Sequence, residues 1–301
     1  MKLSQKVIDE LMVHPGHAAA LSDRSTSEIR ADWLGPMGRS SPKDAAEQDL
    51  DDSKQELDSA QELLYADDTR ALLLIFQGMD ASGKDGTIKH VMTGVNPQGC
   101  EVHSFKQPST EELSHDFLWR CSKVLPERGR IGIFNRSYYE DVLVVRVHPE
   151  LLAPQHLPSG TKAGPPLWQR RYEDINAFEH HLDRSGTRVV KFFLHVSKEV
   201  QRRRLLARLD DPAKQWKFSP ADAAERSYFD TYKEAYEDAL TATSTSWAPW
   251  YVIPADDKPV SRALVGALVV HALNELDLHA PPIGEDQRRA LEKARKALAA
   301  N

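Results

Sequence analysis

Residues 71–91, ALLLIFQGMDASGKDGTIKHV, pass from an apolar run through a glycine-bracketed loop into a helical pattern, and the fold follows from them. Leu72, Leu73, Leu74, Ile75 and Phe76 form a continuous apolar stretch, the pattern of a strand covered on both faces in a parallel sheet. Gly78, Met79, Asp80, Ala81, Ser82, Gly83 and Lys84 then match the first seven positions of a phosphate-binding loop, whose glycines let successive backbone N–H groups turn inward around a polyphosphate. A helix starting near Lys84 adds its positive N-terminal dipole, and Lys84 adds a point charge. The eighth position, normally a Ser or Thr that reaches magnesium, is Asp85; Gly86 follows, and a hydroxyl comes two residues late at Thr87. Asp80 is a carboxylate placed beside bound phosphates, which makes sense if it holds a cation or orients a substrate group.

The surroundings of this stretch are those of a soluble globular chain. The 301 residues are 41% hydrophobic and 28% charged, enough for one large α/β domain with appendages. A net charge of -6 argues against general nucleic-acid binding, so an anionic substrate must meet a local basic patch. Cys100 and Cys121 form no ligand pair and no disulfide framework, which points to packing roles and a reducing cytoplasm. No apolar run approaches membrane-spanning length, and no membrane partner is expected.

Read in order, residues 1–44 form a polar N-terminal extension with Pro/Gly breaks, packed on the core or partly mobile, and 45–66 read as one long helix. Further strands are expected at 100–105, 129–134, 188–196 and 250–254. Helices are expected at 110–123, 168–184, 198–209, 221–240 and 259–276, with a charged terminal helix within 281–301. Five strands alternating with helices imply a parallel sheet wrapped on both faces, spanning residues 45–280.

Three further groups carry chemistry. Arg202, Arg203, Arg204 and Arg208 crowd one helix, with Arg204 and Arg208 on one face, before a Pro-containing loop bearing Lys214 and Lys217. That is where phosphoryl-transfer enzymes carry a lid, and the planar arginine fork suits phosphate oxygens. At the end of the third strand stands Asn135-Arg136-Ser137-Tyr138-Tyr139-Glu140-Asp141. Ligands gather at strand C-termini in open parallel sheets. A nucleotide-binding strand usually ends in an acid for magnesium, yet Asn135 is an amide. Glu140 and Asp141 either hold metal through water or are ordinary helix-surface acids. Lys106 and Arg120 flank the same sheet edge and suit an acceptor phosphate. The stripe Tyr228, Phe229, Tyr232 and Tyr236 reads as core or subunit interface. Histidines 103, 115, 148 and 195 show no ligand spacing and read as structural.

The segments GMDASGKDGT, VNPQG with SFKQPSTEELSHDFLWR, FNRSYYEDVLVVRVH and RRRLLARLDDPAKQWKFSPAD together resemble the polyphosphate kinase 2 family, over roughly residues 45–275. The wording of the middle segments is similar to the class that accepts both AMP and ADP. The resemblance implies a P-loop kinase fold akin to thymidylate kinase, a three-layer α/β sandwich with a five-stranded parallel sheet and a helical lid at about 203–235. It implies inorganic polyphosphate in a basic channel along the lid and loop, with the nucleotide between the loop and the segments bearing Lys106, Arg120 and Arg136. The family's loop acid and lysine fall on Asp80 and Lys84, and its lid arginines on Arg204 and Arg208.

The expected reaction is in-line attack by a nucleotide phosphate oxygen on the terminal phosphorus of polyphosphate. Lys84, Arg136, Arg204 and Arg208 neutralise charge, and magnesium, with manganese as a substitute, is steered by Asp80. An ATP-dependent nucleoside monophosphate kinase and a non-catalytic phosphate-binding module are the rival readings. A homo-oligomer, dimer or tetramer, is expected from the aromatic lid helix and amphipathic end helices.

Overall fold

The structure is a computed structural model that describes residues 3–27, 42–213, 215–217 and 224–299. Of the basic loop residues, Lys214 lies outside the described residues, and so does the side chain of Lys217.

Six strands form one sheet: β1 (Met12–Val13), β2 (Ala71–Gln77), β3 (Cys100–Ser104), β4 (Ile131–Asn135), β5 (Thr187–His195) and β6 (Trp250–Pro254), in the order β1-β6-β5-β2-β4-β3. The five expected strands are all present and pair in parallel. β2 lies between β4 and β5 with all seven residues buried, which is what its unbroken apolar run demands. The chain leaves β2 toward β3 and leaves β5 toward β6, so a crevice opens between the C-terminal ends of β2 and β5. The glycine loop and the arginine-rich helix Lys198–Asp210 both begin there.

The sixth strand is a correction to the expected five. β1 comes from the stretch read as an extension and pairs antiparallel with β6. Two residues carry no readable alternation, so periodicity could not show it. The segment before and after β1 is tied down: Ser4 caps the helix Gln5–Leu11, whose Val7, Ile8 and Leu11 are buried. The Arg24 guanidinium donates to the carbonyls of Ala19, Glu10, Leu11 and Met12. The segment then meets the loop after β6, where the Asp256 N–H donates to Thr26 O at 2.9 Å and the Thr26 hydroxyl donates to Asp256 Oδ2 at 2.7 Å. Asp256 Oδ1 in turn accepts from Ser197 N, the cap of the arginine helix.

Helices cover both faces. On one side lie Pro42–Asp67, Lys84–Val91 and Lys258–Asn274; on the other lie Glu140–Val147, Pro165–Arg184 and Phe229–Thr243. The long helix buries Ala46, Leu50, Ser53, Leu57, Gln61 and Leu64, a three-and-four spacing that sets one stripe against Lys258–Asn274. The two meet at Gly266, where an added Cβ would lie 3.3 Å from Leu50 Cδ1 and from Ser53 Cβ. The expected helix at 110–123 is broken into Thr110–Leu113 and Trp119–Ser122. Ser109 and Glu112 form the capping box at its start, and Asp116 Oδ1 takes the Leu118 N–H at 3.0 Å, an Asx turn that interrupts the helix.

The close helix contact predicts that Gly266→Val overpacks this seam. Denaturant unfolding should show a loss of about 1–3 kcal/mol with an unchanged slope.

Candidate active site

The loop after β2 has the geometry its glycines imply. Gly78 (φ 153) and Gly83 (φ 111) lie in the region that L side chains rarely adopt, and Ala81 joins them at φ 59. A Cβ on Gly78 would lie 2.8 Å from Ser82 Oγ and 2.9 Å from Leu194 O, so β5 presses on the loop from behind. Lys84 opens the helix Lys84–Val91 and folds back, its Nζ donating to Gly78 O at 2.6 Å and to Met79 O at 3.3 Å. It is only 8% exposed. Burial, helped by the positive charge of Arg136, drags its pKa down to about 8 against the pull of Asp80, Glu140 and Asp85. Thr87 is buried on that helix, and Gly86 leaves room beside Arg262.

The end of β4 crosses the mouth of this loop. Arg136 adopts a left-handed backbone (φ 65) and donates its N–H to Phe76 O on β2 at 3.0 Å. Its guanidinium then reaches two acids at once, Asp80 Oδ1 at 2.8 Å and Glu140 Oε2 at 3.2 Å. These carboxylates, Glu140 first, hold its pKa well above the ordinary arginine value. The two departures from the usual pattern meet here: Asn135 Nδ2 donates to Asp85 Oδ1 at 2.8 Å. An acid stands where the loop hydroxyl is usual, and an amide stands where the strand-end acid is usual. The pair keeps a polar link between loop and strand.

The base of the arginine helix is fastened to the loop. Arg204 Nη1 donates to Ala81 O (3.1 Å) and Ser82 O (2.9 Å), while Nη2 donates to Ala255 O (2.7 Å) and Asp256 O (3.1 Å). Burial lowers its pKa. Arg208, one turn further, is half-buried, and Arg203 is exposed. Two site residues do not stand out in the sequence. Gln201 Nε2 donates to Asp80 O at 3.2 Å. Tyr236 is buried near Gly78, and its hydroxyl is pushed upward by burial and then by Glu140. The aromatic stripe is otherwise as its spacing suggests, with Phe229 buried and Tyr232 half-buried, although Tyr228 is 41% exposed. Helical periodicity locates Tyr236 in the core; it carries no sign that this part of the core floors a site.

On the Asp141 side of the helix Glu140–Val147 lies a cavity of about 420 Å³, whose lining includes Phe117, Arg120, Asp141, Leu167, Arg170 and Arg171. Arg120 is buried, donates to Lys106 O at 2.9 Å and stands 5.4 Å from the Phe105 ring, while Lys106 itself is exposed. Glu140 and Asp141, adjacent on one helix, separate by side: Glu140 serves Arg136, and Asp141 is buried against Gln155 and Arg171. Burial raises the Asp141 carboxyl despite Arg171 and Arg120.

Among the described residues no three His, Cys, Asp or Glu side chains stand ready to hold a metal by themselves. Asp80, Asp85 and Glu140 do gather oxygen donors around the loop, each with one oxygen on a neighbouring nitrogen donor. That donor set fits magnesium, which binds through one or two carboxylates together with waters and substrate phosphates.

The family model for polyphosphate kinase 2 matches residues 40–281. The chain belongs to the polyphosphate kinase 2 family. It is accordingly a polyphosphate-dependent nucleotide kinase. An ADP-polyphosphate phosphotransferase of Rhodopseudomonas palustris is 52% identical over 244 residues, which covers 81% of this chain and 84% of that protein. An AMP/ADP-polyphosphate phosphotransferase of Meiothermus ruber is 47% identical over 239 residues, covering 79% of this chain and 85% of its own length. The crystal structure of polyphosphate kinase 2 from Arthrobacter aurescens superposes with a TM-score of 0.84 at 38% identity, covering 98% of this chain and 99% of that one.

Lys84 gives a pH prediction. Its pKa falls from the ordinary lysine value of 10.5 to about 8 in the folded protein, so between these values the unfolded chain holds a proton that the folded protein has released. The contribution of Lys84 to stability therefore rises with pH across that window. A polyphosphate anion bound beside Lys84 would reverse this by favouring the charged ammonium. Calorimetry in buffers of different ionisation enthalpy should show proton uptake on polyphosphate binding just above pH 8, with affinity falling as pH rises, and Lys84→Met should abolish the uptake.

Proposed function

We propose that this enzyme transfers the terminal phosphoryl group of inorganic polyphosphate to AMP and to ADP, giving ADP and ATP. The observation that carries the reading is Arg136, held by Asp80 and Glu140 across the mouth of the loop that buries Lys84. The names of the two relatives, one for ADP and one for AMP/ADP, support both acceptors.

Polyphosphate runs along the loop, where backbone N–H groups and the helix N-terminus meet its terminal phosphate. Lys84 leaves the Gly78 and Met79 carbonyls for a phosphate oxygen. Near neutral pH it is mainly charged, because its pKa of about 8 lies above the working pH. Arg136 sits between donor and acceptor and neutralises the equatorial oxygens as the phosphoryl group passes. The acceptor's phosphate is met by Arg120 and Lys106, and its nucleoside occupies the cavity of about 420 Å³, with Phe117 as an apolar wall. A phosphate acceptor is already an anion near neutral pH, so positioning and charge neutralisation suffice without a strong base. Asp80, with Asp85 and Glu140 nearby, would hold magnesium or manganese, which would supply further neutralisation of the phosphates. Arg204 keeps the loop in shape through its four carbonyl contacts, and Arg208, Arg203 and the lysines at 214 and 217 extend the basic channel along a lid at about 203–235. Two cysteines without a disulfide, and the absence of any membrane-length apolar helix among the described residues, support a cytoplasmic setting.

One assay tests the reading: polyphosphate with AMP, then with ADP, followed by the appearance of ADP and ATP. Lys84→Ala, Asp80→Ala and Arg136→Ala should each lower kcat/KM about 10²- to 10⁴-fold, or roughly 3–6 kcal/mol, with circular dichroism unchanged. Saturable phosphorylation of AMP by ATP, with none by polyphosphate, would overturn it in favour of an ATP-dependent nucleoside monophosphate kinase.

A further inference from the structure

Behind the Arg136 crossing lies a polar cluster with no direct part in the chemistry above. Lys191, in the middle of β5, and Glu179, on the helix Pro165–Arg184, are both fully buried and 2.5 Å apart. Lys191 Nζ donates to three acceptors: Glu179 Oε2, the Tyr139 hydroxyl at 2.9 Å and the carbonyl of Thr243 at 2.7 Å. Glu179 Oε1 accepts from the hydroxyls of Tyr138 (2.8 Å) and Tyr139 (2.9 Å). Burial pushes both hydroxyls well above their ordinary values, so they remain protonated donors. Trp250 closes the cluster: its ring packs edge-on against Tyr139 at 4.8 Å, and its Nε1 donates to Thr243 Oγ1 at 2.9 Å.

Stability alone is a poor reason for such a cluster. Two buried charges lose their hydration, and apolar side chains of similar volume often serve as well or better. What the pair adds is direction, because hydrogen bonds from a rigid strand fix where two tyrosine rings end. Tyr138 and Tyr139 lie directly between Arg136 and Glu140 in the chain. Arg136 has a positive φ that a residue with a side chain keeps only when its surroundings enforce it. The same Lys191 holds Thr243, the last residue of the helix that sets Tyr236 beside Gly78 and Glu140.

We infer that the buried Glu179–Lys191 pair is a positioning device for phosphoryl transfer, holding Arg136 and Glu140 in register with the glycine loop through the hydroxyls of Tyr138 and Tyr139. The inference rests on the role of Arg136 proposed above. The pair touches neither substrate, so its removal should disturb the transition state more than the binding of ground-state substrates.

The test is a double-mutant cycle on the full-length enzyme. Tyr138→Phe/Tyr139→Phe keeps both rings and removes both hydroxyls; it is made in the wild-type background and in Arg136→Ala. The expected result is a kcat at least tenfold lower in the wild-type background, with KM for polyphosphate and nucleotide within twofold. In Arg136→Ala the same change should cost less than threefold. Equal losses in the two backgrounds, or an unchanged kcat, would overturn the inference while leaving the role of Arg136 intact. Full activity of Arg136→Ala would remove both together. If the double variant does not fold, Tyr139→Phe alone enters the same cycle, with a threefold loss expected in the wild-type background and none in Arg136→Ala.

Discussion

Arg136 is held by two carboxylates that come from different parts of the chain, Asp80 in the loop after β2 and Glu140 on the helix after β4. A single cation thereby joins the loop after β2 to the helix after β4. The arrangement also keeps the site balanced before substrate arrives. Lys84 and Arg136 repel each other in a partly buried space, and Asp80, Asp85 and Glu140 offset them. Under the proposed function, an incoming polyphosphate chain would meet positive charges that are already in place and engaged with carbonyls and carboxylates.

The supports of this crossing lie deeper in the fold and differ in kind. Below the loop, β5 presses Leu194 against Gly78 and fixes the first turn by shape. Beside it, Arg204 ties the carbonyls of Ala81 and Ser82 to those of Ala255 and Asp256, so one guanidinium joins the loop after β2 to the loop after β6. A guanidinium suits this task because its donors fan out in one plane and it keeps its charge even when half-buried. An arginine that reads in sequence as a phosphate ligand thus holds the backbone that presents the phosphate cradle.

Sequence reveals most where local chemistry and period agree. The apolar run of β2, the glycines of its loop and the helix after it are enough to locate the crevice, and the capping box at Ser109 marks a helix start that is present. Sequence reveals less where a feature depends on what lies opposite. β1 is two residues long and exists because β6 offers an edge. The Asx turn at Asp116 defeats a helical period that looks continuous. The pairing of Asn135 with Asp85 joins positions far apart in the chain, and each alone reads as a flaw in a motif. Gln201 and Tyr236 have ordinary local patterns and acquire a place in the site only through packing.

The pairing of β1 with β6 also sets an order on how the molecule is made. β1 has its partner far along the chain in β6, with Met12 opposite Tyr251, and Thr26 finds Asp256 only once that strand is in place. The N-terminal segment must therefore wait, with Val7, Ile8 and Leu11 still exposed, until almost the whole sheet has assembled. Contacts between such distant parts of a chain form late because the loop between them must close first. Asp256 then joins this late-arriving segment to the cap of the arginine helix, so the base of that helix is completed by a contact that forms late.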